Sequence, residues 1–304
     1  MLVVEPGASL HSVSQELALQ GAIKWPRLLV LLGRLRDQTN IKVGEYELVS
    51  GVGPEEFLDM LNDGDVIHYS VTLIEGKTFN EALVDLKQEE SLVPTLVDKD
   101  AIADFLSQLD LPNENPEGWF FPDTYHFVKG ESDADILIRA HNRLRDVLST
   151  EWEGRASNLP YENAYEALIM ASIIEKETGT PSEREQIAGV FVRRLEKNMR
   201  LQTDPTVIYG LGDKYNGNIR RSHLRQATPY NTYVIKGLPP TPIAMVGREA
   251  IYAALHPAEG EALYFVAKGD GSHHFSATLE EHNNAVQEYQ VRKRVENYQS
   301  APQN

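Results

Sequence analysis

The sequence predicts an α+β fold in which a small N-terminal module precedes a larger mixed α/β domain built around one buried helix. Two observations lead to this prediction. The first 68 residues carry short strand and helix signals separated by turn residues. Further along, residues 168–174 are apolar apart from one serine. Since a helix that is apolar on all sides must be buried, this segment is expected at the centre of the second domain.

Composition excludes several classes of function. A length of 304 residues suggests roughly two domains. The net charge of -16 argues against nucleic-acid binding, which needs a basic surface, and against charge-driven adhesion of the whole chain to an anionic membrane. The absence of cysteine excludes disulfides, thiol catalysis and cysteine-ligated metals. No segment is long enough to span a bilayer, so membrane contact is expected only through an anchor that this chain lacks.

The N-terminal module, residues 1–68, is predicted to run strand, helix, helix, strand, and then a further helix and strand. Ser9 is a good helix cap and Pro26 suits the first turn of the second helix. This order resembles a LysM-like glycan-binding fold, although a generic small α+β module explains it equally well. The predicted strands are 3–4, 44–49 and 66–74, and the predicted helices are 9–20, 26–37 and 54–62.

The second domain is predicted over residues 69–299, with a connecting segment at 69–118 and a polar tail at 300–304. Five aromatic residues lie between positions 119 and 127. They could form a wall on which sugars stack, but burial in the core is the favoured interpretation. Past Met199, loops rich in amides, tyrosines and prolines replace long helices. Helices are predicted at 78–87, 98–109, 133–153, 161–178, 183–199 and 278–288, a strand at 263–267, and a turn into a short strand at 271–276.

Glu175 is the candidate catalytic residue. Gly179 and Pro181 are helix-stop signals, so Glu175 falls in the last turn of the buried helix. Apolar surroundings and the negative end of the helix both raise the pKa of a carboxyl group there. A carboxylic acid kept protonated near neutral pH can donate a proton to a glycosidic oxygen. Alternatively, Glu175 simply begins a solvated helix end.

The amide- and tyrosine-rich loops supply candidates for substrate binding. Asp204 precedes Pro205 and is assigned mainly to capping the next helix. His273 and His274 are adjacent, and adjacent side chains rarely converge on one ion, so at most one is expected to face a site. No metal and no cofactor are predicted. The candidates for holding a glycan are Gln202, Thr203, Asp204, Tyr209, Asn231 and Tyr233.

Five stretches follow one another along the chain: residues 171–178, 200–209, 230–233, 237–240 and 264–266. In this order they resemble the YceG-like family, the family of endolytic murein transglycosylases. The resemblance implies that Glu175 is the catalytic acid/base and that the N-terminal module is a LysM-like subdomain. It also implies a single-pass anchor in the bacterial inner membrane, a catalytic part in the periplasm, and association with cell-wall synthesis enzymes. One departure is Thr241, where many relatives have glycine.

The chemistry suggested jointly by residues and resemblance is lytic cleavage of peptidoglycan glycan strands. Hydrolysis of a glycoside ordinarily uses two carboxylates, whereas lytic cleavage needs one acid that becomes the base. Glu177 lies about 200° around the helix from Glu175, so it is not expected to share the site and is assigned to an ion pair, either at the surface or in the shell of residues behind the site. Two alternatives stay open: a hydrolase with Asp204 as second carboxylate, and a glycan-binding protein without catalysis.

Overall fold

The computed structural model describes residues 1–49, 51–109, 111 and 115–292. Contacts divide the chain into two compact units. The first unit combines Met1–Thr72, Leu83–Phe105 and Thr124–Ile138. The second combines Leu73–Ala82, Leu106–Asp123 and the chain from Arg139 onward. The predicted domain limits at residues 68 and 299 stay a prediction, and the predicted polar tail at 300–304 lies outside the described residues.

The first unit begins with the predicted strand–helix–helix–strand order. Strand β1 (Leu2–Val4) pairs antiparallel with β2 (Gly44–Tyr46), and α1 (Leu10–Leu19) and α2 (Pro26–Leu35) lie between them in the chain. The Ser9 hydroxyl accepts from the Ser12 N–H, and the Ser12 hydroxyl accepts from the Ser9 N–H, which confirms the predicted cap. Apolar residues of all four elements form one core.

The remaining elements of the first half of the chain include one strand that the sequence pattern did not predict. Strand β3 (His68–Thr72) pairs antiparallel with β4 (Thr124–Val128). Within β4, Tyr125 and Phe127 are buried while their neighbours face solvent, the alternation of a half-buried strand. The sequence did not reveal this alternation, because the strand lies within the run of aromatic residues at 119–127. The helices here are α3 (Pro54–Asp63), α4 (Phe79–Lys87), α5 (Lys99–Ser107) and α6 (Asp133–Glu153).

All five residues of the aromatic cluster are buried. Phe120 and Phe127 are almost fully inaccessible, and Trp119, Phe121 and Tyr125 are less than one-tenth exposed. These rings therefore belong to the core, as favoured from the sequence, and they are not a sugar-stacking wall.

The second unit is built around α7 (Ala164–Glu177), whose residues from Ala167 to Ile174 are all buried. Helix α10 (Arg248–Leu255), which the sequence pattern did not predict, packs along α7 together with α8 (Arg184–Glu196). Buried alanines on α10 allow the two backbones to approach closely. The other elements are α9 (Asp204–Leu211), β5 (Tyr264–Ala267), its antiparallel partner β6 (His273–Ser276), α11 (Leu279–Val286) and a π-helical turn at Gln287–Arg292.

Helices and small antiparallel sheets thus alternate through the described residues, which confirms the α+β class. The LysM-like character of the N-terminal module stays a prediction. Among the helices described here, none combines the length and the apolar composition needed to cross a membrane.

Ser172 is the polar residue inside the buried stretch of α7, and it is expected to matter for stability. Its hydroxyl donates to the carbonyl of Ile169 (2.7 Å) and accepts from the backbone N–H of Ile243 (3.0 Å). Ser172→Ala would leave that buried N–H without an acceptor and should lower the free energy of unfolding by about 1–3 kcal/mol in urea denaturation. Ser149→Ala, at an exposed position of α6, is the control and should stay within about 0.5 kcal/mol. Equal stability of the two variants would contradict this role.

Candidate functional site

The end of α7 places two glutamates on opposite sides of one helix. The helix ends at Glu177, and Thr178 follows as a buried, extended C-cap residue whose N–H donates to the carbonyl of Ile174. Glu175 lies in the last turn, as predicted. Since successive helical residues are about 100° apart, Glu175 and Glu177 leave the helix in roughly opposite directions. Their surroundings therefore have to be considered separately.

Glu175 is buried beside a cation and a backbone donor. Its side chain is 5% exposed, and its carboxylate accepts from the N–H of Gly247 (3.0 Å) and from the guanidinium of Arg184 (3.5 Å). Burial raises the pKa of Glu175, and the charge of Glu75 raises it further, while the Gly247 N–H and Arg184 oppose the rise. The predicted direction of the shift is confirmed. Arg184, which also pairs with Glu249, was not expected from the sequence.

Glu177 is half-buried and has no cationic partner among the described side chains. It accepts a hydrogen bond from the hydroxyl of Thr203. Burial raises the pKa of Glu177 to about 7; the Thr203 hydrogen bond opposes this rise, and the charge of Asp204 adds to it. The expected ion pair is therefore wrong. The loop after Met199 packs on the Glu177 side of the helix, a fact that helical spacing alone cannot supply.

A cavity of about 860 Å³ opens beside Glu177. Its lining includes three of the six predicted binding residues, together with aromatic rings and histidines. Among the described residues, Glu175 is not part of this lining. The cavity residues that matter for the site are Glu177, Arg194, Gln202, Asp204, Tyr233, Tyr264 and His273.

The loop that carries Gln202 and Thr203 is held by two hydrogen bonds to one residue, Thr232. The Thr203 N–H donates to the hydroxyl of Thr232 (3.0 Å), and the Gln202 N–H donates to the carbonyl of the same residue (3.2 Å). Gln202 has a left-handed backbone (φ 56°), which is uncommon outside glycine. This conformation leaves the Gln202 side chain exposed at the cavity, while Thr203 is buried against Glu177.

Arg194 is a functional residue that the sequence reasoning missed. Its guanidinium donates to the carbonyls of Leu201 (2.8 Å) and Leu263 (2.7 Å) and to the side-chain oxygen of Gln202 (3.3 Å). It also lies over the ring of Tyr264, 5.0 Å from the centroid. One buried cation thus joins the Gln202 loop to β5. The sequence feature that could have identified Arg194 is a charged residue among the apolar positions of α8.

Asp204 does not cap α9. The helix begins at Asp204 itself, one residue earlier than a cap at Asp204 requires, with Thr203 as N-cap and no side-chain cap hydrogen bond. The Asp204 carboxylate instead accepts from the hydroxyl of Tyr233 (2.7 Å), and both residues line the cavity. The capping assignment is wrong because a tertiary partner competes for the carboxylate. Burial, followed by the charge of Asp204, raises the pKa of Tyr233, so its hydroxyl stays a donor.

Two predicted binding residues lie away from the cavity lining. The hydroxyl of Tyr209 donates to buried Glu117 (3.1 Å), and burial raises the pKa of that glutamate to about 7. The Asn231 amide donates to the carbonyls of Gln226 (2.7 Å) and His223 (3.1 Å). Both side chains therefore hold loops in place. Glu117 also accepts a hydrogen bond from the Phe79 N–H. In the sequence, only the aromatic residues that follow Glu117 indicated that it would be buried.

The adjacent histidines diverge, as expected. His273 lines the cavity and its Nδ1 lies 2.8 Å from Glu183, whereas the His274 ring contacts Tyr289. Within the described part of the chain, no group of three or more histidine or acidic side chains is arranged to hold a metal ion. The arrangement around Glu177 can transfer a proton, and the amide and hydroxyl groups nearby can bind a polar ligand.

One family model and several known proteins match the chain. The model of the YceG-like family matches residues 2–288. An endolytic murein transglycosylase of Bacillus subtilis (strain 168) is 29% identical over 302 residues, which cover 94% of this chain and 83% of that protein. An endolytic murein transglycosylase of Streptococcus pneumoniae serotype 2 is 26% identical over 328 residues. That match covers 94% of this chain and 57% of the pneumococcal protein.

A solved structure has a similar fold. The 2.6 Å crystal structure of a yceG-like protein from Listeria monocytogenes superposes with a TM-score of 0.58 at 28% identity. The match covers 93% of this chain and 97% of the Listeria chain.

Proposed function

Because this chain belongs to the YceG-like family, we propose that it is an endolytic murein transglycosylase, a lyase that cuts peptidoglycan glycan strands without consuming water. The observation that carries the catalytic assignment is the position of the Glu177 carboxyl group. Its pKa is raised to about 7, and it lines a cavity of about 860 Å³ whose other polar side chains can bind a ligand. A general acid works best when its pKa lies near the working pH.

In the proposed first step, neutral Glu177 donates its proton to the oxygen that joins N-acetylmuramic acid to N-acetylglucosamine. The bond from C1 of the muramic acid to that oxygen breaks, and the glucosamine leaves with the proton. In the second step, the Glu177 carboxylate removes the proton from the C6 hydroxyl, whose oxygen bonds to C1. The product is a 1,6-anhydro end, and the acid returns to its starting state.

The neighbours of Glu177 have separate proposed roles. The Thr203 hydroxyl stabilises the carboxylate form between the two steps through its hydrogen bond. Gln202 and Tyr233 present polar groups to the cavity and are proposed to bind the glycan, with Asp204 orienting the Tyr233 hydroxyl. Tyr209 and Asn231 are proposed to support binding indirectly, by holding the loops.

Glu175 as the acid stays a prediction, and the surroundings of the two glutamates favour Glu177. Arg184 and the Gly247 N–H both stabilise the charged form of Glu175, and its carboxylate is absent from the cavity lining. Around Glu177, burial and the charge of Asp204 raise the pKa, and only the Thr203 hydroxyl opposes the rise, so a proton is retained up to about pH 7.

The N-terminal module and the location of the protein are proposed from its order of elements and its family. The antiparallel pairing of β1 with β2 around two helices supports a LysM-like module that binds glycan strands. The proposed location is the periplasmic side of a bacterial inner membrane. There the enzyme would trim or terminate new strands beside cell-wall synthesis enzymes.

A hydrolase is the second candidate, since Asp204 lies in the same cavity as Glu177 and could activate water. Mass spectrometry of the products from purified murein strands decides between the two functions. We expect 1,6-anhydro ends from the native protein and from Asp204→Asn, with reduced but measurable rate in the variant. Reducing ends that the native protein produces and Asp204→Asn does not would establish the hydrolase. Strands that are bound by the protein but stay intact would mean that it binds glycan without cleaving it.

A further inference from the structure

Helix α2 carries a stripe of exposed apolar side chains on its outer face. Trp25, just before the helix, is 68% exposed, and Leu28, Leu31 and Leu35 are 56%, 52% and 77% exposed. Their spacing of three or four residues places them along one side of the helix. The module does not need them for its own core, because α2 packs inward through other residues, Leu29 and Gly33.

The stripe continues into an apolar groove of the same module. The groove has a volume of about 460 Å³, and Trp25 and Leu28 belong to its rim. Exposed apolar surface that is concentrated in one place marks a site of interaction, whereas scattered apolar residues do not. The other groove residues that matter here are Leu17, Leu32, Val52 and Phe57.

The stretch of chain that carries the stripe is basic although the chain as a whole is acidic, and the groove beside it is lined by one cation, Lys24, and one anion, Glu47. Residues 17–36 contain four cations and no aspartate or glutamate, in a protein of net charge -16. Arg36 pairs with Glu55 (3.0 Å) and Asp59 (3.1 Å). Within the described residues, the other three cations have no ion-pair partner: Lys24, Arg27 and Arg34.

We propose that α2 is a membrane-interface helix that binds the surface of an anionic bilayer. A helix with tryptophan and leucine on one face and unpaired lysine and arginine beside them lies in the plane of a membrane surface, with its apolar face among the acyl chains. Tryptophan prefers the headgroup level, which suits Trp25 at the start of the helix. The charge complementarity favours an anionic lipid surface over a neutral glycan, and the tryptophan–leucine face suits acyl chains better than the acidic surface of a second copy of this chain.

The test is co-sedimentation of the full chain with vesicles of phosphatidylglycerol and phosphatidylcholine in equal parts, and with pure phosphatidylcholine. The chain is expected to bind the anionic vesicles, and to bind them more weakly at high salt. Its tryptophan fluorescence should shift to the blue, and Trp25→Phe should remove that shift because Trp25 is one of three tryptophans. Arg27→Gln and Arg34→Gln should each weaken binding roughly fivefold. The double variant Leu28→Ser/Leu31→Ser should lose it.

Val97→Ser is the matched control, because Val97 is 59% exposed but lies outside α2. It should bind like the native chain, and thermal melting should show that every variant is folded. The proposal is overturned by absence of binding to the anionic vesicles, or by a double variant that binds like the control. It is equally overturned if the stripe variants abolish a dimer, or the binding of soluble chitin oligosaccharides, while vesicle binding is unchanged.

Discussion

Glu177→Gln is expected to lower murein cleavage by a factor of roughly 10²–10⁴ while the fold is retained. Glutamine has nearly the same shape as glutamate and can still accept the hydrogen bond from Thr203, but it cannot transfer a proton. The measurement is the rate of release of 1,6-anhydro ends from purified murein strands. Thermal melting and circular dichroism of the variant establish that the loss concerns chemistry and not folding.

Glu175→Gln is the matched control, because the two glutamates lie two residues apart on the same helix. Its amide oxygen can still accept from the Gly247 N–H (3.0 Å in the native chain), so we expect most of the activity to remain. Loss of activity in Glu175→Gln together with near-native turnover in Glu177→Gln would reverse the assignment. Glu175 would then be the acid, as the sequence suggested.

The stability gained from Glu177→Gln is expected to depend on pH. The pKa of Glu177 in the folded protein is about 7, above the ordinary value of 4.5. The unfolded chain therefore loses its proton first as pH rises, and the native protein becomes less stable between these two values. Above pH 7 the loss is complete and on the order of 3 kcal/mol, since one pKa unit corresponds to about 1.4 kcal/mol. Urea denaturation at pH 4 and pH 8.5 should show little gain at the lower pH and the full gain at the higher.

Asp204→Asn provides a second check on the same titration. The charge of Asp204 raises the pKa of Glu177, so its removal should move the pH at which cleavage declines to a lower value. A gain in stability from Glu177→Gln that is the same at both pH values would show that Glu177 is not held protonated.

The sequence alone determined the features that depend on local pattern. The apolar run before Glu175 dictated a buried α7, because no polar face was available for solvent. Ser9 and Pro26 marked helix starts through backbone chemistry that needs no distant partner. The helical periodicity of α6 was sufficient to predict its bounds, Asp133–Glu153. The α+β class followed from the order of these elements.

Only the tertiary structure decided which side of α7 faces the cavity. Helical spacing correctly separated Glu175 from Glu177, but the choice between them depends on where the loop with Thr203 packs. The same holds for Asp204, whose carboxylate binds Tyr233, 29 positions away, in preference to the local helix end. A long-range hydrogen bond has no local sequence signal, because its geometry comes from the packing of other elements. Local pattern therefore predicted the elements and the position of both glutamates at the end of α7, and packing decided the surroundings of each carboxylate.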